Sequence, residues 1–269
     1  MQIESINPQP IAEIPFLNAG RGSGSFRTEL LPVLEATVDR LPDGLDAIIA
    51  TADLQGREPM DANPGHPPRL LGETLPFQLC EEVLPSLSLN YGRIGVILAG
   101  DFYTVPTLDR LGGSGDVSEV WEAFGFEFDW VTGVAGNHDM FGPSREDLPS
   151  FSGNIHYLDA DRTEIDGLKI AGLGGIIGKA GKLHRRPPEE YVAQLKSILQ
   201  DETDILILHD GPDDPANHQV GIPIIREAVE KLRPKLVIRG HAYWQHPLAE
   251  IGSGVQVLNV DSRVVIMRQ

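Results

Sequence analysis

Residues 94–101 read IGVILAGD and residues 128–139 read FDWVTGVAGNHD, two apolar, β-branched runs each broken at its carboxyl end by glycine and polar groups. The same order recurs outward along the chain, in LDAIIATADLQGR (45–57), DILILHDG (204–211) and KLVIRGHAY (235–243). LKIAGLGG (168–175), VQVLNV (255–260) and RVVIM (263–267) are further strand-like runs. The early runs are continuously apolar, the pattern of strands covered on both faces. Helix-like stretches over 188–200 and 222–232 separate the later ones, and alternation of strand and helix argues for an α/β fold. Ligands in open α/β sheets collect outside the carboxyl ends of the strands, and each polar motif falls there. Further out, Leu30, Leu31, Leu34 and Val38 have the spacing of an amphipathic helix from Thr28 to Leu41, stopped by Pro42, Asp43 and Gly44. Residues 1–25 read as a loop-like lead-in whose NAGRGSGS lacks the preceding strand of a dinucleotide loop.

At 269 residues the chain is long enough to bury a substantial core, and one domain over 1–269 is expected. Its 22 basic and 39 acidic residues give a net charge of −17, which repels phosphate backbones at long range. Long nucleic acid is therefore an unexpected partner, whereas a short nucleotide is compatible. Cys80 is the single cysteine, so no intrachain disulfide forms. The start, MQIESINPQPIAEIPF, has no basic segment followed by an apolar core, and no apolar run approaches the roughly 20 residues that span a bilayer. A soluble, cytoplasmic protein without membrane contact is expected.

The polar motifs place Asp53, Gln55, Asp101, Asn137, His209, His241 and Tyr243 after separate strands. Carboxylates, an amide and imidazoles converging from several strand ends suit divalent cations. Singly, each has a plainer reading: an Asp after a strand often caps the next helix, and a lone buried His is usually hydrogen-bonded core. Their joint occurrence favours metal. GD, GNHD, a strand-terminal His and GHxx in this order resemble the calcineurin-like metallophosphoesterase family, from about Asp46 onward, with GNHD the most specific element.

The resemblance implies two mixed β-sheets sandwiched by helices in four layers, and one or two divalent metal ions (Mn, Fe, Zn or Mg). It implies that Asp101 bridges both ions and that Asn137, His209 and His241 complete one site. In the other site the family uses D-x-H and the second His of G-H-x-H, positions that here hold Gln55 and Tyr243. With Asp53 and Asp101 these make an oxygen-only set, expected to bind more weakly and to favour Mg²⁺ or Mn²⁺. His246 is the alternative imidazole if residues 243–245 loop out.

The same resemblance implies hydrolysis of a phosphomonoester or phosphodiester by metal-activated water, with His138 as general acid. Asp139 either orients His138 or caps the following turn. Arg57 is the leading candidate for touching a substrate phosphate, and Lys179, Lys182, His184, Arg185 and Arg186 form either a phosphate clamp or a solvated loop. Phe102 and Trp244 could stack on a base or sugar. A small phosphorylated substrate is the expected partner. The competing function is a binding or scaffold module that has kept the fold. A thiol or serine hydrolase has little support, since Cys80 has no neighbouring His and no G-x-S-x-G occurs.

Overall fold

The computed structural model describes all residues except 21–24, 63–64, 90–91, 111 and 253. Along the chain, β1 (Ile3–Ile6), β2 (Ala12–Ala19), β3 (Phe26–Val38) and β4 (Ala47–Ala52) precede α1 (Leu71–Gln78) and β5 (Ile94–Leu98). Then come β6 (Gly115–Asp116), α2 (Ser118–Glu127), β7 (Trp130–Gly133), β8 (Asp139–Met140) and β9 (Ile155–Tyr157). The second half holds β10 (Asp161–Ile165), β11 (Leu168–Leu173), β12 (Ile176–Ile177), β13 (Arg185–Arg186) and α3 (Pro188–Ile198). It continues through β14 (Ile205–Leu208), α4 (Pro223–Leu232), β15 (Leu236–Arg239), β16 (Leu248–Ile251), β17 (Val255–Asn259) and β18 (Arg263–Arg268).

Two mixed sheets result. The first runs β1-β3-β18-β4-β5-β7-β9, with β2 also on β3, and the second runs β10-β11-β14-β15-β17-β16. Strand β18 returns from the second half of the chain into the first sheet, antiparallel to β4 and parallel to β3. Successive side chains of a strand point to opposite faces, and the core divides accordingly. Ile49, Val96, Leu98 and Val264 face Leu71, Leu75, Val120 and Trp121 of α1 and α2. Their neighbours Ile48, Ala50, Ile97 and Val265 meet Ile170, Ile205, Ile207 and Ile238 of the second sheet. The far face of that sheet, with Leu206, Leu208 and Val237, packs on Tyr191, Leu195, Ile225 and Val229 of α3 and α4. The layers are thus α/β/β/α, and the continuous apolar runs are explained by strands with no solvent face.

Two local expectations are corrected. The segment from Thr28 to Leu41 is not a helix but mostly strand β3, paired with β2 over Phe26–Val33, with β1 over Ala36–Val38 and with β18 on its other edge. Pairing along both edges overrides a spacing that four leucine and valine positions happen to share with a helix. The lead-in over 1–25 is likewise not a loop, since it supplies β1 and β2. Of its NAGRGSGS, residues 21–24 lie outside the described residues.

Gly95 of β5 lies opposite Trp130 of β7, and a Cβ at Gly95 would come within 2.0 Å of the indole. That indole is 3% exposed and its Nε1 donates to Asp166 Oδ2 at 3.0 Å, so it has little room to yield. Gly95→Ala is expected to lower the unfolding free energy by about 2 kcal/mol. The check is the denaturant midpoint at unchanged slope; a loss below about 0.5 kcal/mol would mean the indole moves aside.

Candidate metal centre

Strands β4, β5, β7, β14 and β15 end on the same side of the two packed sheets, and their next residues meet. Asp53 and Asp101 come directly after Ala52 and two residues after Ala99; Asn137 follows β7, His209 follows β14, and His241 follows β15 through Gly240. Asp53, Asp101 and His241 adopt left-handed backbone conformations, with φ of 55°, 61° and 65°. For side chains other than glycine this is strained, and such strain gathers where a side chain must be aimed. Glycines make the approach possible. A Cβ at Gly136 would lie 2.0 Å from Asp101 Oδ1, and one at Gly240 would lie 2.4 Å from Asp53 Oδ2.

Asp101 is the hub. Its Oδ1 accepts from the His138 backbone N–H at 2.8 Å, and its Oδ2 lies 3.3 Å from His209 Nε2 and accepts from Gln55 Nε2 at 3.4 Å. His209 is fully buried, and its Nδ1 donates to Ala99 O at 2.8 Å. That bond leaves Nε2 as the ligating atom. Donor atoms of Asp101, His209 and His241 all lie within 4.8 Å of one another. The imidazoles of His209 and His241 stand 5.0 Å apart between centroids.

Whether a cation fits can be judged from what the buried atoms lack. Asn137 Oδ1, His138 Nδ1 and His209 Nε2 are buried side-chain atoms without a hydrogen-bond partner among the described residues. Buried polar atoms are ordinarily paired, so an open amide oxygen on the loop bonded to Asp101, together with an imidazole nitrogen whose sole neighbour is the Asp101 carboxylate at 3.3 Å among the described residues, matches a divalent ion. The set Asp101, Asn137, His209 and His241 therefore fits the group.

The electrostatics agree. Burial raises the Asp53 carboxyl pKa and the nearby Asp261 carboxylate raises it further, well above the usual value. Burial also opposes ionisation of Asp101, but attraction to His209 outweighs it and holds that carboxyl below its usual value. Burial lowers the His209 pKa, while the Asp101 carboxylate more than offsets this and lifts it to about 10. His241 keeps an exposed face, and the partial desolvation of its ring together with the charge of His209 pushes its pKa down to about 4.

The remaining expectations fare differently. Gln55, Asp53 and Tyr243 line one cavity, but Tyr243 is 58% exposed and stacks on Arg263, whose guanidinium lies 4.4 Å from the ring centroid. His246 is exposed and lines a different cavity with Pro8, Pro10 and Leu34, so it does not replace the missing imidazole. Asp139 does not orient the His138 ring. Its oxygens accept from the backbone N–H groups of Asp101, Phe102 and Gly136, each at 2.8 Å, and burial lifts its pKa to about 6 with help from Asp101.

Arg57 is 6% exposed and donates to the carbonyls of Pro68, Thr104 and Val105, so its guanidinium holds loops together and does not face a substrate. Arg186, from the basic run, donates to Asp159 and to Gly174 O and forms no free clamp. Phe102 and Trp244 are fully buried, which rules out stacking on a ligand. Asp261 was missed. It follows VQVLNV as Asp53 follows its own run, and that placement was the available signal.

The family model described as calcineurin-like phosphoesterase matches residues 47–244. The fold is similar to that in the crystal structure of TT1561 of Thermus thermophilus, with a TM-score of 0.54 and 14% identity, over 80% of this chain and 88% of that one. No curated protein matches the sequence.

Because His209 Nδ1 is committed to Ala99, a cation must take Nε2, which at neutral pH carries a proton held by the raised pKa of about 10. Binding is expected to release about one proton per ion, and affinity to rise about tenfold per pH unit between about pH 6 and pH 9. His241, held near 4, adds no proton above about pH 5. Calorimetric titration in buffers of differing ionisation enthalpy counts the protons; pH-independent affinity with none released would show that His209 is not a ligand.

Proposed function

Since the chain belongs to the calcineurin-like phosphoesterase family, we propose that it is a hydrolase of small phosphate mono- or diesters with one firmly held divalent cation and a second, weaker one. The observation that carries this reading is the convergence of Asp101, His209 and His241, whose donor atoms all lie within 4.8 Å of one another, with Asn137 Oδ1 buried and without a hydrogen-bond partner among the described residues. Asp101, Asn137, His209 and His241 would hold the first ion. Asp53 and Gln55, with Asp101 shared and Tyr243 on the same cavity wall, would hold the second through oxygen alone. A bound divalent cation supplies Lewis acidity and brings the pKa of water towards neutrality.

The side chains do the rest. Water adds to phosphorus, the ester P–O bond breaks with its electron pair passing to the alcohol oxygen, and that oxygen takes a proton. His138 would make this donation: its backbone N–H is fixed on Asp101, and its Nδ1 has no hydrogen-bond partner among the described residues, which supports the role. Asp139 holds the loop from which His138 projects.

The test is hydrolysis of chromogenic phosphate mono- and diesters by chelator-stripped protein reloaded with Mn²⁺, Mg²⁺, Fe²⁺ or Zn²⁺. Metal-dependent turnover lost in Asn137→Ala and His241→Ala supports the reading, whereas tight ion binding without turnover on any ester overturns it in favour of a binding module. His138→Ala is expected to lower kcat about a hundredfold for alkyl esters and far less for p-nitrophenyl esters, whose leaving group needs no proton. An equal loss on both would leave His138 a structural role. Tyr243→His should tighten the second ion about tenfold in a calorimetric titration, with the first unchanged; no gain would count against an oxygen-only second site.

A further inference from the structure

Arg263 is a buried cation without an ion partner. It is 2% exposed, and one face of its guanidinium is covered by the Tyr243 ring, 4.4 Å from the centroid. Its Nε donates to Asp261 O at 3.2 Å and its Nη2 to Trp244 O at 2.6 Å, while Nη1 makes no hydrogen bond among the described residues. The Asp261 carboxylate attracts it at longer range, but Asp261 Oδ1 takes the Ser262 hydroxyl at 2.7 Å and no salt bridge joins the two. Buried charges are ordinarily paired, so a guanidinium held by two carbonyls and a ring lacks an anion. Its Nη1 is unpartnered yet not sealed from solvent, and it therefore opens into the cavity that Arg263 lines.

That cavity encloses about 350 Å³, within the roughly 300–1,000 Å³ of small-molecule sites. Its walls are apolar, with Ile6, Pro10, Leu34 and Leu248 among them, and no aspartate or glutamate lines it. Gln245, which is exposed, completes the polar end with Arg263. The cavity adjoins the candidate metal centre: Tyr243 and Pro32 line both it and the cavity that holds Asp53 and Gln55, and Arg263 pairs with Ala52, the residue before Asp53. Apolar walls with one charged donor at the end select an apolar body that carries an anion. A phosphate is matched by a fork of two guanidinium nitrogens, and Nε and Nη2 are already spent. As a dianion it would also lose more hydration against proline and leucine walls than a carboxylate would. A single carboxylate oxygen on Nη1 fits both conditions.

We propose that this cavity seats an apolar carboxylic acid on Arg263, and that the substrates are phosphate esters whose alcohol part carries such a carboxylate. The substrate class rests on the phosphoesterase reading above, and the ligand class on Arg263 and its cavity alone. Arg263 is the specificity-determining residue, and Tyr243 is shared by the compartment of the acid and that of the scissile phosphate.

Binding and turnover are read separately. Phenylacetate titrated into Mg²⁺-loaded protein is expected to shift the backbone NMR signals of Gln245 and Leu248, and neutral phenylacetamide to bind about tenfold more weakly. Gln245→Glu adds a carboxylate to the cavity without touching a buried side chain and should weaken phenylacetate about tenfold. Arg263→Met should abolish binding, but that side chain also holds two carbonyls, so the Gln245 variant carries the test if Arg263→Met does not fold. For turnover, 4-(carboxymethyl)phenyl phosphate is compared with its carboxamide, which has the same shape without the charge, on Mn²⁺-loaded protein. The acid is expected to have kcat/KM about tenfold higher, and Gln245→Glu should bring the ratio close to one. Turnover with equal kcat/KM for acid and amide overturns the substrate class and spares the phosphoesterase reading. Gln245-dependent shifts at Leu248 without turnover on any ester uphold the carboxylate site and overturn that reading. Signals that move at Asn137 and not at Leu248 put the acid on the metal ion and overturn the site.

Discussion

Three backbone N–H groups converge on the Asp139 carboxylate, two from the turn after β5 and one from the turn after β7. Without them the two turns would carry buried amides with no partner, at a cost of about 1–3 kcal/mol each. With them, the ends of two parallel strands are clamped together and Asp101 is fixed. The Asp101 carboxylate in turn accepts from the His138 backbone, so the loop that bears Asn137 and His138 is tied to Asp101 twice, through the His138 N–H and through the Asp139 carboxylate. The candidate metal centre is therefore framed by main-chain hydrogen bonds to two carboxylates before any ion is considered.

The same region carries the backbone strain. Asp53, Asp101 and His241 each sit in a left-handed conformation, at a cost of order 1–3 kcal/mol apiece. Each also donates its own backbone N–H within the set: Asp53 to Gly100 O, Asp101 to Asp139, and His241 to Asp53 Oδ2, all at 2.8 Å. The strain is thus held by neighbours that are themselves site residues. Glycine at positions 136 and 240 is the steric condition, because any Cβ there would overlap the carboxylate oxygens of Asp101 and Asp53. These glycines stand one residue before Asn137 and His241, which gives the GN and GH motifs a packing reason as well as a chemical one.

Much of this was legible in the sequence, for a reason that also explains what was not. Strands covered on both faces write themselves as continuous apolar runs, and a site at their carboxyl ends writes itself as the polar residue that follows. β3 carries no such signature: it lies towards the edge, is half-buried, and shares the spacing of Leu30, Leu31, Leu34 and Val38 with a helix. Arg57 was misread because its fate is non-local. Bridges from Arg57 to Leu17 and Leu70 turn the chain inward, and the guanidinium then satisfies three carbonyls from loops distant in sequence. Trp244 and Phe102 follow site motifs yet point into the packed layers, one donating to Val220 O and the other sitting among α1 and α2 side chains. Asp139 could be recognised as part of GNHD, but not as an acceptor for amides dozens of residues away.

A phosphoesterase-family protein of net charge −17 needs an account of its local field. At physiological salt a charge more than about 8 Å away is largely screened when it is exposed to solvent, so most of the surface carboxylates matter little at the centre. What matters there is the buried pair Asp101 and Asp261 with the half-buried Asp53, opposed by His209 and by Arg239, whose guanidinium is itself committed to carbonyls. Burying carboxylates with so little compensation is unfavourable unless cations join them, and the residues that make the centre costly when empty of charge are the ones that make it able to hold a phosphate when cations are bound.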